Sequence, residues 1–487
     1  IDVPIGSHYT VRPADVRYNV IQWVHRSTRG WSYGGGITDP RTGEMLKGHV
    51  SLGSLRVRQD FLIATGLLQP YENGDERPNE MTEMALARLR QLSAHEVGHT
   101  LGLAHNFAAS VNQRASVMDY PHPYVKMDDE GNIDLSEAYD DKIGVWDKVT
   151  IAYGYSDFPE GENEEKLNEI LKEAFEDNLE YITDQDARPA NGLHPSAHLW
   201  DNGTKAVTEL NRMMKIRRVI LDKFSENAIR KGMPMSSIEE ALVPIYLFHR
   251  YQVDATSKLI GGLNYSYALR GEDGTVSEMI PSSDQMDALD ALLNTVKPES
   301  LKLSEELLNK IPPRAFGYGR SRETFQSKTG PAFDYLAAIE TAASLPFSFI
   351  FNPDRFNRLL TYKARNSNQP GVDAVLDRIV EEVWMAPSTS SMDCTIEKVV
   401  EMEMLKNLMG LALNDRAYDE VKAKAFAKIL DIRLYVASRT KRSANDDGAY
   451  YQYVSNEIDQ FLEDPKEFKI PSPIKAPDGS PIGSCDF

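Results

Sequence analysis

The eleven residues from 95 to 105, "HEVGHTLGLAH", constrain this chain more than any other stretch of it. Histidines four apart on a helix project from one face, one turn apart. At that spacing two imidazoles can reach one ion at about 2.0–2.1 Å. The chain around His95 must therefore be helical, and the helix must end soon after His99. Gly102 suits that end, because a glycine takes φ > 0 without penalty, stops a helix and turns the chain. The turn brings His105 back as a third imidazole. Three neutral imidazoles leave a fourth position for water, as in catalytic rather than structural zinc sites. Glu96 is placed to lean over that position as a general base instead of ligating the metal. A bare HExxH is a weak match in 487 residues, and the glycine and third histidine at their spacings make it specific. The expected zinc ligands are thus His95, His99 and His105, with Glu96 as the base.

The residues before the motif read as mixed structure. "VRYNVIQWV" (16–24) is rich in β-branched and aromatic residues and predicts a strand. "GITDPRTGEML" carries Asp-Pro and Thr-Gly between apolar runs and predicts a hairpin. "KGHVSLGSLRV" alternates well enough for a second strand at about 48–57. "SYGGGI" lacks the strand and helix around a nucleotide-binding glycine loop, so it reads as a flexible loop. From about residue 80, Met81, Met84, Ala85, Leu89 and Leu92 recur at threes and fours, predicting a helix that runs into the histidines. Beyond about residue 155 helical patterns dominate, as in "LNEILKEAFEDNLEYI", "ELNRMMKIRRVILDKFSENAIRK", "SIEEALVPIYLFHRYQVDATSKLI" and "IEKVVEMEMLKNLMGLAL". The Pro- and Gly-rich end, "IPSPIKAPDGSPIGSCDF", reads as an irregular tail. The expected organisation is a mixed α/β part over 1–155 followed by a mainly helical part over 156–487.

After His105 comes "SVMDYP" with Met118. HExxHxxGxxH followed by a methionine turn is similar to the metzincin clan of zinc endopeptidases. In that clan the methionine forms a hydrophobic floor under the three imidazoles. Tyr120 matches the Met-x-Tyr of the astacin- and serralysin-like branches, where the phenol approaches the metal and helps stabilise the tetrahedral intermediate. The resemblance therefore implies that Tyr120 is catalytic beside Glu96. Asn106 departs from the Asp, Glu, Ser or Pro that follows the third histidine in the better-known branches.

The blocks "DPRTGEML", "HEVGHTLGLAHNF", "SVMDYP", "ITDQDARP", "HLWDNG", "HRYQVDATSKLIGG" and "PPRAFGYGRSRETF" further resemble one family of large bacterial zinc metalloproteases. These have a metzincin catalytic domain and a long helical C-terminal region. The resemblance implies an α+β metzincin-like fold followed by a larger helical domain, a bound Zn2+, a protein or peptide substrate, and export to the periplasm, cell envelope or medium. It also implies that a strand and long helix of the clan's fold come from a segment upstream of residues 1–155. By clan analogy, an edge strand above the zinc pairs with an extended substrate, and "KGHVSLGSL", with Gly48 and Gly53, is the expected one.

Composition narrows the partners. The net charge of −19 argues against nucleic acid or an anionic membrane. No apolar run approaches the 18 residues of a membrane span. Cys394 and Cys485 are too few for a disulfide framework or thiolate cluster, and whether they pair is open. His194 and His198, four apart in "HPSAHLWDNG", have no evident third ligand, so lining the cleft is the expected role. "MDDEGNIDLSE" fails the EF-hand order because Gly131 is fourth from Asp128, and predicts a hairpin turn. A rival to the endopeptidase is a cell-envelope binding or scaffold protein with a structural or vestigial zinc centre. Glu96 separates the two, since a structural site needs no base.

Overall fold

The computed structural model describes residues 15–25, 32–74, 78–271, 276–385, 390–440, 447–472 and 474–478. Cys485 and the last part of the expected tail lie outside these residues. Three strands open the fold: β1 (Val20–Val24), β2 (Tyr33–Thr38) and β3 (Met45–Gly53). Their order is β1-β3-β2, with β1 parallel and β2 antiparallel to β3. The hairpin expected from "GITDPRTGEML" joins β2 to β3, and Asp39 N–H donates to the Glu44 carbonyl across its turn.

Two sequence expectations are corrected here. "SYGGGI" supplies β2 and is not a loop. Glycines carry no side chain for a strand pattern to show, yet this strand requires them. A Cβ on Gly34 would lie 1.9 Å from the Glu96 carbonyl oxygen, and one on Gly36 would lie 2.7 Å from that of Lys47. Consequently "KGHVSLGSL" is not an edge strand. β3 is central and paired on both sides, with Val50 and Leu52 buried against Leu92. Among the described residues the edge that lies against the active-site helix is β2.

Helix α1 (Leu55–Leu68) follows β3 and ends where Gln69 turns left-handed, φ 45°. Gly66 lets α1 cross the helix Ile238–Tyr246 closely, since a Cβ there would fall 2.5 Å from Ile245. Helix α2 (Asn79–Thr100) starts after Pro78 and buries Met81, Met84, Ala85, Leu92 and His95 on one face. The turn expected at Gly131 (φ 81°) is a short hairpin pairing Lys126–Met127 with Ile133–Asp134. The Asp128 carboxylate staples it by accepting the Glu130 and Asn132 amides.

The remainder is mainly helical, as expected, with three helical patterns cut short. The helix Ala206–Asp222 ends before the "KFSENAIRK" of its pattern. After the helix Asn163–Glu176, Asn178 takes φ 56°, so residues 179–182 leave the helix. The helix Ile238–Tyr246 contains Pro244, which supplies no amide donor, and helical structure resumes only at Arg250. One large apolar cluster joins Ile63, Met81 and Met84 to Leu242, Leu289, Ile339 and Val436. The core therefore runs from α1 and α2 into the helical part. A smaller cluster of Phe107, Ala108, Ile182, Ala187 and Ala197 lies beside Tyr120. Among the described residues no helix is long and apolar enough to cross a membrane.

Candidate metal centre

Helix α2 carries His95 and His99 on its last turns, and its end is built to return His105. Gly102 has φ 85°. Its N–H donates to the His99 carbonyl and the Leu103 N–H donates to that of Gly98, both at 3.1 Å. This paired closure satisfies two of the helix's last carbonyls and needs a residue free to adopt positive φ at position 102.

The three imidazoles then converge. One ring nitrogen from each lies within 4.8 Å of the others. His99 Nε2 is 3.1 Å from both His95 Nε2 and His105 Nε2. Each Nδ1 is turned outward to an acceptor: His95 to the Val117 carbonyl at 2.6 Å, His99 to that of Leu103 at 2.9 Å, and His105 to the Asp184 carboxylate at 2.8 Å. Carbonyls and carboxylates only accept, so each Nδ1 bears the proton and each Nε2 a lone pair.

Three lone pairs facing one point repel unless a cation lies among them. Protonating the rings is opposed, because burial and then the neighbouring imidazoles push His95 well below the usual histidine range. Burial likewise lowers His99. A tetrahedral ion about 2.0–2.1 Å from each nitrogen would set neighbouring nitrogens roughly 3.3–3.4 Å apart. The observed 3.1 Å is close to that, and the donor set is the one zinc takes.

Met118 lies where the floor was expected. It is buried, and a Cβ on Gly98 would fall 2.3 Å from its sulfur. Gly98 sits between the two helical histidines, so the thioether presses on the helix at the metal-facing turn. The Asn106 N–H donates to the Met118 carbonyl at 3.1 Å, tying this turn to the residue after His105.

Glu96 is buried with an exposure of 4%. Burial pushes its carboxyl up to about 7, against the opposing pull of Arg56, Arg88 and the Gly34 N–H. Tyr120 lies over the imidazoles, with ring centroids 5.4 Å from His95 and 4.9 Å from His105. It stacks on Trp200 at 4.9 Å. Arg56 and Arg88 lie over the Trp200 ring at 5.1 and 5.8 Å. The structure thus brings His95, His99, His105 and Tyr120 together, with Met118 packed on Gly98 of the same helix and Glu96 buried next to His95 in the chain.

Other expectations end differently. His194 and His198 are buried and bonded to the Tyr265 and Pro195 carbonyls, so neither lines an open cleft. Asn106 has a physical reason to differ from the better-known branches. Its Oδ1 accepts the Ala108 and Ile182 amides at 3.1 and 3.3 Å, and its Nδ2 donates to the Glu180 carbonyl at 2.8 Å. A carboxylate could not make that last bond. Asn106 thereby holds the segment that carries Asp184.

The sequence reading gave no role to Asp184 or Arg188. Burial alone would raise the Asp184 carboxyl, but hydrogen bonds from His105 and Arg188 outweigh it and hold the group below the usual carboxylate range. The available signal was the i, i+4 spacing of an acid and an arginine within "ITDQDARP", a common ion-pair spacing that names no target.

Searches of curated proteins and of solved structures found no match. A family model described as Met-zincin matches residues 77–391, more than half of the chain and including the three histidines, Glu96, Met118 and Tyr120. With three histidines converging at metal-ligand spacing over a buried methionine, and that match extending across them, the chain belongs to the Met-zincin family of zinc metalloproteases.

Proposed function

We propose that this protein is a zinc-dependent endopeptidase in which Glu96 is the general base. The observation that carries the reading is the convergence of one ring nitrogen from each of three histidines at metal-ligand spacing, with the buried carboxyl of Glu96 next to His95 on the same helix. His95, His99 and His105 would hold the ion. When bound, zinc supplies Lewis acidity, lowering the pKa of a water toward about 7 and polarising a carbonyl.

Glu96 takes the proton as the water oxygen attacks the scissile carbonyl carbon. It then passes that proton to the amine nitrogen as the C–N bond breaks. Tyr120 donates its hydroxyl proton in a hydrogen bond to the oxygen that becomes negative. An extended peptide fits along β2, whose outer edge carries no partner strand among the described residues and whose Gly35 leaves open space where a side chain would stand. The scaffold reading gives no reason to bury an acid beside the imidazoles.

Metal analysis and cleavage of a peptide library by the purified protein test this. The expected result is one zinc per chain and turnover that Glu96→Ala abolishes while retaining the metal. Absence of zinc, or cleavage by Glu96→Ala at the wild-type rate, overturns it.

A further inference from the structure

We propose that Arg188 is a positioning residue for the Tyr120 phenol, and that the single carboxylate of Asp184 sets both this arginine and the metal ligand His105. The inference rests on the role given above to Tyr120. Asp184 opens the short helix Asp184–Ala187, and Arg188 follows that helix as its C-terminal cap. One carboxylate oxygen, Oδ2, accepts from His105 Nδ1 at 2.8 Å. The other, Oδ1, accepts from Arg188 Nε. The same guanidinium donates from Nη2 to the Tyr120 hydroxyl oxygen at 3.2 Å. A guanidinium is a rigid planar fork, so fixing Nε on Asp184 also fixes the direction of Nη2. A continuous line of contacts thus runs from His105 through Asp184 and Arg188 to the phenol.

The rings around the arginine reinforce this placement. Its carbon lies 5.4 Å from the centroid of Tyr120 and 5.5 Å from that of Phe107, so the cation is held against two aromatic faces. Tyr120 also stacks on Trp200, whose backbone N–H donates to the Tyr120 carbonyl at 2.8 Å. Trp200 itself takes φ 62°, a conformation uncommon for a residue with a side chain. Trp200 therefore sets the plane of the phenol ring and Arg188 sets its oxygen. A hydroxyl oxygen that accepts from a cation has its own proton to give, and the nearby positive charge makes that proton a stronger donor. A lysine at 188 could reach Asp184 or Tyr120, but lacks the fork that holds both.

The test is a double-mutant cycle on the zinc-loaded enzyme, with kcat, KM, zinc affinity by chelator competition and Tm measured for Tyr120→Phe, Arg188→Gln, Arg188→Lys and the Tyr120→Phe/Arg188→Gln double variant. Arg188→Gln should lower kcat by roughly ten- to a hundredfold with KM little changed, because the bond acts through an oxyanion donor. In the Tyr120→Phe background the same substitution should cost no further kcat. Zinc affinity should fall far less than the ten- to a hundredfold typical when a carboxylate is removed from a ligating histidine, since Asp184 still holds His105. Arg188→Lys should recover little. Wild-type kcat in Arg188→Gln overturns the proposal, and so does a double variant slower than Tyr120→Phe by the whole Arg188→Gln factor. If Tyr120→Phe itself keeps wild-type kcat, the role of the phenol fails and this inference falls with it. If Tyr120→Phe is slow but the two effects multiply, only the role of Arg188 falls. Should Arg188→Gln not fold, the same cycle is run with Arg188→Lys, which preserves the charge.

Discussion

Replacing Asp184 by Asn removes one negative charge and almost no volume, so its effects isolate what the carboxylate does. In the native site His105 Nδ1 reaches both oxygens, Oδ2 at 2.8 Å and Oδ1 at 3.1 Å, and Oδ1 also accepts from Arg188 Nε. A carboxamide has one accepting oxygen, so its NH2 must face either the imidazole N–H or the guanidinium. A donor set against a donor leaves one bond unmade, costing about 1–3 kcal/mol at a partly buried site. Where the lost partner orients a ligating histidine, metal affinity typically falls ten- to a hundredfold. That corresponds to about 1.4–2.7 kcal/mol of binding. Competition with a chelator of known zinc affinity measures this directly, and catalysis of the fully loaded variant gives kcat separately. Hydrogen bonds from His105 and Arg188 overcome the effect of burial and hold Asp184 below the usual carboxylate range, so it is charged across neutral pH. The affinity ratio between wild type and variant should therefore stay flat between about pH 6 and 8, while both affinities fall together as the imidazoles protonate. Equal zinc affinity in the two proteins would refute the reasoning, because it would mean that backbone alone orients His105.

Two further outcomes are expected elsewhere in the fold. Gly98→Ala should lower Tm even though alanine is about 1 kcal/mol better than glycine inside a helix, because the new methyl would meet the Met118 sulfur at 2.3 Å; a rise in Tm on thermal melting would show that the methionine yields freely. Glu401 is buried in the helix Ser391–Leu413, and burial pushes its carboxyl up to about 8. The native state holds that proton to higher pH than the unfolded chain does, so stability is lost as pH rises from about 4.5 toward 8. Glu401→Gln should accordingly raise Tm by up to about 5 °C at pH 8.5 and leave it unchanged at pH 4.5, as melts at the two pH values will show.

How much of this was legible in the sequence follows from where each residue's partner sits. The three histidines, the proposed base and the helix stop lie within eleven residues, and helical geometry alone relates them. Gly102 was readable because the φ it adopts, 85°, is one that only a local turn demands. The methionine floor lies further along, and a resemblance was needed to connect Met118 to the imidazoles. β2 could not be read at all. Gly34 is dictated by an atom 62 residues away at Glu96 and Gly36 by the neighbouring strand at Lys47, and nothing local distinguishes a glycine that permits close approach from one that permits flexibility. The misplaced edge strand follows from the same gap, because alternation in "KGHVSLGSL" reports a buried strand face and is silent about what pairs on either side.

The part of the site that came from beyond residue 155 was illegible for a stronger reason. Asp184 reaches His105 across 79 positions, and its segment is held in place by Asn106 and by a lysine still further along the chain. Lys258 is fully buried, and its ammonium donates to the Ala187 carbonyl at 2.6 Å and the Ala197 carbonyl at 2.7 Å. Ala187 ends the short helix that begins at Asp184, and Ala197 lies in the loop that leads to Trp200. Burying an ammonium costs several kcal/mol unless good geometry and nearby charge compensate for it. Here two carbonyls meet it, and the carboxyls of Asp254 and Asp201 oppose the effect of its desolvation. An apolar residue could fill that space without the cost, but it could not bind two carbonyls on separate segments at one point. The chain thus spends a buried charge to fix the two segments that orient His105 and Tyr120. That is a physical reason for "HRYQVDATSKLIGG" to accompany a zinc motif about 150 residues before it.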